Sequence, residues 1–82
     1  MYRVETDEQV QEQVDALPAD ALAAYAELRV MLETVPWEGR PYHRDKPQAA
    51  MRAQAFGKYG LAVYLIREDE QQVDLLLVMW AG

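Results

Sequence analysis

The sequence contains no cysteine and a single histidine, His43. Disulfide staples and thiolate metal sites are therefore excluded, and neither a metal site nor a cofactor is expected. Also missing are a glycine-rich phosphate loop, a histidine–carboxylate metal spacing and a nucleophile elbow, so no general enzyme signature is present. Long apolar runs are absent too: the longest, Leu75 to Ala81, falls far short of a bilayer span. The N-terminal Met1-Tyr2-Arg3-Val4-Glu5 leads into acidic and amide residues with no apolar secretion segment. These absences predict a cytoplasmic protein without membrane contact.

What is present fits one modest core. The chain has 82 residues, of which 51% are apolar and 27% charged. A single domain over residues 1–82 is expected. With no covalent staple, a subunit or binding partner is the expected extra support.

Charge is unevenly spread around a net of −6. Residues 1–39 hold two basic and nine acidic side chains, a net of −7. Residues 40–58 hold Arg40, Arg44, Lys46, Arg52 and Lys58 against Asp45 alone, a net of +4. Residues 59–82 return to −3, with Arg67 against Glu68, Asp69, Glu70 and Asp74. Because fields decay within about 10 Å in salt, local sign governs what a surface attracts.

The order of elements follows from periodicity and punctuation. Tyr2 to Glu5 reads as a short strand. Thr6 reads as a helix N-cap, with Gln9 completing a capping box. Val10, Val14 and Leu17 then form one apolar stripe, which Pro18 ends. A second helix starts near Pro18-Ala19-Asp20, with Asp20 or a neighbour as its cap. Its stripe is Ala21, Tyr25, Leu28, Leu32 and Val35, and Pro36 stops it. Residues Pro36 to Gln48 lack a period and read as a long loop, a place where function often resides. Ala50 to Phe56 and Leu61 to Ile66 form a hairpin about Gly57-Lys58-Tyr59-Gly60. After a charged turn, Val73 to Trp80 is the most apolar strand and is expected at the centre of the sheet, covered on one face by the helices. The reading is an α+β fold, β-α-α-β-β-β, an antiparallel sheet packed against a helical hairpin.

The basic loop and strand are the candidate site. Arg40, Arg44, Lys46 and Lys58 are candidate RNA- or anion-binding residues, because guanidinium and ammonium groups neutralise phosphate. Tyr42 is a candidate stacking ring for an unpaired base. His43 is a candidate acid or base, a role histidine side chains often fill; a solvated loop histidine is its alternative. The alternative for the cations is charge balance against acidic residues of this chain or of a partner. Trp37 is expected to pack over the helix end, and Tyr64 and Trp80 to lie in the core or an interface.

Several stretches resemble the RelE/ParE superfamily of type II toxin–antitoxin toxins. They are Tyr2-Arg3-Val4-Glu5, the Leu17-Pro18 joint, the Pro36 loop, Met51-Arg52-Ala53, Leu61-Ala62-Val63-Tyr64-Leu65-Ile66 and Val73-Asp74-Leu75-Leu76-Leu77-Val78. The resemblance implies a toxin held by a cognate antitoxin. RelE-like members cut mRNA on the ribosome, and ParE-like members act on DNA gyrase. On position, Arg52 matches a basic residue common on the first hairpin strand, which with His43 makes the candidate catalytic pair. Two departures imply an atypical or incomplete site. Leu61 stands where many members have an arginine, and no basic, aromatic tail follows Trp80. Three readings follow: a ribosome-dependent endoribonuclease, a non-catalytic interaction module using the basic patch and a sheet edge, and a homodimer sharing a core.

Overall fold

A computed structural model describes residues 1–82. Strand β1 (Arg3–Thr6) leads to helices α1 (Glu8–Asp15) and α2 (Ala19–Thr34), and then to a 3-10 turn at Pro36–Glu38. Strands β2 (Arg40–Pro41), β3 (Met51–Phe56), β4 (Gly60–Arg67) and β5 (Gln72–Trp80) follow, with a second 3-10 turn at Glu68–Glu70. The five strands form one sheet in the order β1-β5-β4-β3-β2. The α+β reading of two helices against a sheet holds. No helix is long and apolar enough to cross a membrane.

Local chemistry sets the element ends. Asp7 caps α1, its carboxylate accepting from the Val10 backbone N–H at 2.8 Å. The capping box expected at Thr6 and Gln9 does not form. Thr6 Oγ1 instead donates to Gln11 Oε1 at 3.1 Å, because Asp7 lies one residue closer to the first turn and carries the charge that suits the dipole. Pro18 occupies the α2 cap position with no side-chain bond, so Asp20 does not cap that helix. Ala21, Tyr25, Leu28 and Leu32 are buried as read, whereas Val35 terminates the helix and is exposed.

The helices cover one sheet face. Their stripes meet Phe56, Ala62, Tyr64, Ile66, Val73, Leu75 and Val78 in a single core cluster. Strand alternation alone would not bury both Leu75 and Val78. Val63 pairs with Leu77 and Tyr64 with Leu75, leaving Leu76 as the extra residue of a bulge that switches the strand's parity. That is why β5 reads as almost continuously apolar.

Two pairings were not anticipated. β1 runs parallel to β5 while every other pair is antiparallel, so the sheet is mixed. The connection between them, which contains both helices and the other three strands, supplies the long crossover a parallel pair requires. The loop from Pro36 also contains β2, two residues long and paired with Ala53 and Arg52 of β3. Two residues, one a proline, give no readable alternation. β5, expected at the centre, is interior but lies next to the β1 edge, and β4 occupies the centre.

Candidate functional site

Residues directly opposite each other in a sheet share a face. Arg40 pairs with Ala53, and Ala53 with Val63, while Ala55 pairs with Leu61. This set lies on the face turned away from the helices, since Phe56 and Tyr64 belong to the core cluster. There a concavity of ≈ 460 Å³ is lined by Arg40, Pro41, Tyr42, Arg44, Ala53, Leu61 and Val63. Its floor is aliphatic, and two guanidinium groups and a phenol sit at its rim. The ion pairs of the molecule involve Arg3 and Arg67 only, so Arg40 and Arg44 are free to meet an outside anion.

Arg52 points the other way. It is 8% exposed and pairs across the sheet with Tyr64. Its Nε donates to the Gly39 carbonyl at 3.1 Å, and its Nη1 donates to Pro47 at 3.0 Å and Ala49 at 3.1 Å. Its Nη2 donates to the Trp37 carbonyl at 3.1 Å, and its guanidinium lies 5.2 Å from the centre of the Trp37 ring. No carboxylate accompanies it. One cation thus gathers four loop carbonyls from behind, while the same loop presents Arg40, Tyr42 and Arg44 in front.

A second clamp fixes the loop's entry. Glu68 Oε1 accepts from Tyr2 Oη at 2.7 Å and Trp37 Nε1 at 2.8 Å, and its Oε2 accepts from Gln71 Nε2 at 2.7 Å. These donors, Trp37 first, hold the Glu68 carboxyl below the usual glutamate value. The same contact raises the Tyr2 phenol above 10.0. Tyr64 is fully buried and donates to the Pro36 carbonyl at 2.7 Å. Burial pushes its phenol up to about 12, with the Arg52 charge opposing. Gly39 touches this hydroxyl so closely that a Cβ there would lie 1.9 Å from Tyr64 Oη. Glycine is required by proximity, not by its backbone angle.

The remaining candidates fall outside the concavity. His43 is exposed, its ring edge-on to Tyr42 at 4.9 Å. Lys46 is exposed on the loop, and its N–H closes a turn onto the His43 carbonyl at 3.0 Å. Lys58 lies in the β3–β4 turn, 5.8 Å from the Tyr59 ring centre. It lies beyond the end of β3, whose last residue is Phe56. The structure thus brings together Arg40, Tyr42 and Arg44, with His43 alongside, and sets Arg52, Lys46 and Lys58 apart. The floor residues Ala53 and Val63 were missed as site residues, although hairpin pairing and alternation could have found them. Glu68 was missed too; its partners lie 66 and 31 residues away, and no local signal joins them.

Solved structures place this architecture. The isolated RelE toxin of E. coli superposes with a TM-score of 0.77 at 15% identity, covering 100% of this chain and 86% of that one. The toxin–antitoxin complex RelBE2 of Mycobacterium tuberculosis gives 0.71 at 21% identity, covering 96% of each chain. The archaeal RelE–RelB complex of Pyrococcus horikoshii gives 0.66 at 16%, covering 99% of this chain and 96% of that chain. No protein-family model and no curated protein matches the sequence. The chain has the RelE-like toxin fold.

Proposed function

We propose that this RelE-like chain is the toxin component of a toxin–antitoxin pair. Its Arg40–Arg44 loop and open sheet face would bind the RNA phosphate backbone in the cytoplasm, and a cognate antitoxin would hold it in check. The observation that carries the reading is the pair of free guanidinium groups, with Tyr42, at a concavity on the sheet face turned away from the helices. RNA cleavage without a metal needs the 2′-hydroxyl deprotonated, the phosphate charge stabilised and the leaving oxygen protonated. Arg40 and Arg44 supply the charge. His43, beside Tyr42, would serve as the acid or base. Arg52 is assigned a positioning role, because its donors are already committed to backbone carbonyls. The test is induced expression without a partner, followed by mapping of mRNA ends with and without translating ribosomes. Growth arrest with translation-dependent cleavage is expected; harmless expression refutes the toxin reading.

One observation favours a second reading, a binding module that does not cut. Ala53, Leu61 and Val63 give the floor no acid, base or hydrogen-bonding side chain. Growth arrest with intact mRNA would select this version, in which a protein target such as DNA gyrase takes the place of RNA.

A further inference from the structure

Helix α2 is apolar on two sides. Ala21, Tyr25, Leu28 and Leu32 are buried against the sheet. On the opposite side Ala19, Leu22, Ala23, Ala26 and Val30 are exposed, Leu22 at 51% and Val30 at 59%. At 3.6 residues per turn these five positions fall within an arc of about 100°, centred roughly 140° from the buried stripe. No charged residue interrupts the arc between Ala19 and Val30; Glu27 borders it on one side and Arg29 on the other. A surface helix carries one apolar stripe and a polar back, whereas a helix apolar on both sides is one that is covered on both.

The pattern identifies the cover as a second copy of this chain. Reversal about Ala26 maps the stripe onto itself: Leu22 falls opposite Val30, Ala26 opposite Ala26, and Ala19 opposite Glu33. A two-fold axis at Ala26 therefore pairs two α2 helices antiparallel, in the commonest symmetry of soluble oligomers. Alanine at the crossing lets the helix axes approach to about 8 Å, with Leu22 of each copy packed on Val30 of the other. Glu33 has no ion pair within the chain. In this arrangement it comes beside the N-terminus of the other copy's α2, where the helix dipole favours a carboxylate. A helix of 16 residues is about 24 Å long and about 10 Å across, a strip well below the roughly 800 Å² per partner of a standard interface. The area suits a weak, reversible dimer.

We infer that the outer stripe of α2 pairs two copies of the chain in a reversible antiparallel homodimer centred on Ala26. The stripe and the Arg40–Arg44 concavity lie on opposite faces of the molecule, so both concavities stay open in the pair. The inference stands whether or not the chain is a toxin.

The experiment is sedimentation of the full chain across a concentration series. The average mass should rise from one chain toward two, with the midpoint on the order of 10–100 µM, as a contact below standard size implies. Ala26→Glu sets two carboxylates against each other at the two-fold axis and should weaken association at least about tenfold. Glutamate is a good helix former at an exposed position, so circular dichroism and the melting temperature should be unchanged. Leu22→Lys and Val30→Glu should each weaken association by a similar factor. An equimolar mixture of these two variants should associate more tightly than either alone, because the introduced charges then face each other. A single-chain mass at every concentration overturns the inference and leaves the stripe to a different partner. A dimer unaffected by Ala26→Glu overturns it by placing the contact elsewhere. A mixture that associates no more tightly than its components overturns the antiparallel pairing of Leu22 with Val30.

Discussion

Replacing Arg52 by methionine separates an anchoring arginine from one that works on a ligand. Methionine keeps much of the stem and its packing while removing every donor. Four loop carbonyls lose their partner: Gly39, which is buried, and Trp37, Pro47 and Ala49, which are partly so. A hydrogen bond from a charged donor contributes roughly 1.5–3 kcal/mol, and water can replace the outer three in part. The contact with the Trp37 ring adds roughly 0.5–1 kcal/mol. A net loss of about 3–5 kcal/mol follows, similar to that found when one side of a buried charged contact is removed. For 82 residues the whole stability is about 4–12 kcal/mol at the usual value per residue. Methionine at 52 therefore removes a large fraction, and the melting temperature should fall on the order of 15 °C or more. Urea denaturation gives the free energy, and amide exchange of residues 37–49 shows whether the loop opens first. Arg52→Lys, which lacks the planar fork, should lie between. Stability unchanged within about 1 kcal/mol, together with lost ligand binding, would refute the anchoring role and return Arg52 to the ligand.

Other perturbations test separate contacts. Gly39→Ala should destabilise by about 1–3 kcal/mol through overpacking against Tyr64 Oη. The double variant with Tyr64→Phe should recover part of that loss in thermal melts, because the offending hydroxyl is gone. Asp7→Ala should cost about 0.5–2 kcal/mol by removing the α1 cap. Glu68, whose folded pKa is lowered, adds stability that is fully present above its ordinary value of 4.5 and lost as pH falls through the lower folded value. The Trp37 indole N–H resonance should report that acid transition, and Glu68→Gln should abolish it. Lys58→Ala should leave oligonucleotide affinity within about twofold, since Lys58 lies in the β3–β4 turn and does not line the concavity.

The scaffold was legible where it rests on local patterns. The stripes Val10–Val14–Leu17 and Ala21–Tyr25–Leu28–Leu32, the prolines at 18 and 36, and the Gly57 turn each follow from sequence neighbours. β2 was not legible, because two residues held only by β3 have no pattern of their own. The parallel β1–β5 pairing was hidden for a related reason, as it joins segments nearly seventy positions apart, Arg3 opposite Gln72. At the site, charge clustering located the loop correctly but gave no direction to any side chain. Arg40 and Arg52 look alike in the sequence and lie on adjacent strands, yet cross-strand pairing turns one toward the open face and the other toward the carbonyls behind it. Leu61 was read as a strand residue and a departure from the family pattern, not as a site residue, and in the structure it lines the concavity.

The most direct test is growth on induction of the chain beside its Arg40→Glu, Arg44→Glu double variant, both followed by immunoblot to confirm equal amounts of folded protein. If the open-face concavity is the functional site, the unaltered chain arrests growth and the double variant, whose exposed substitutions leave the fold intact, does not. Equal arrest by both, or by neither, would contradict that assignment.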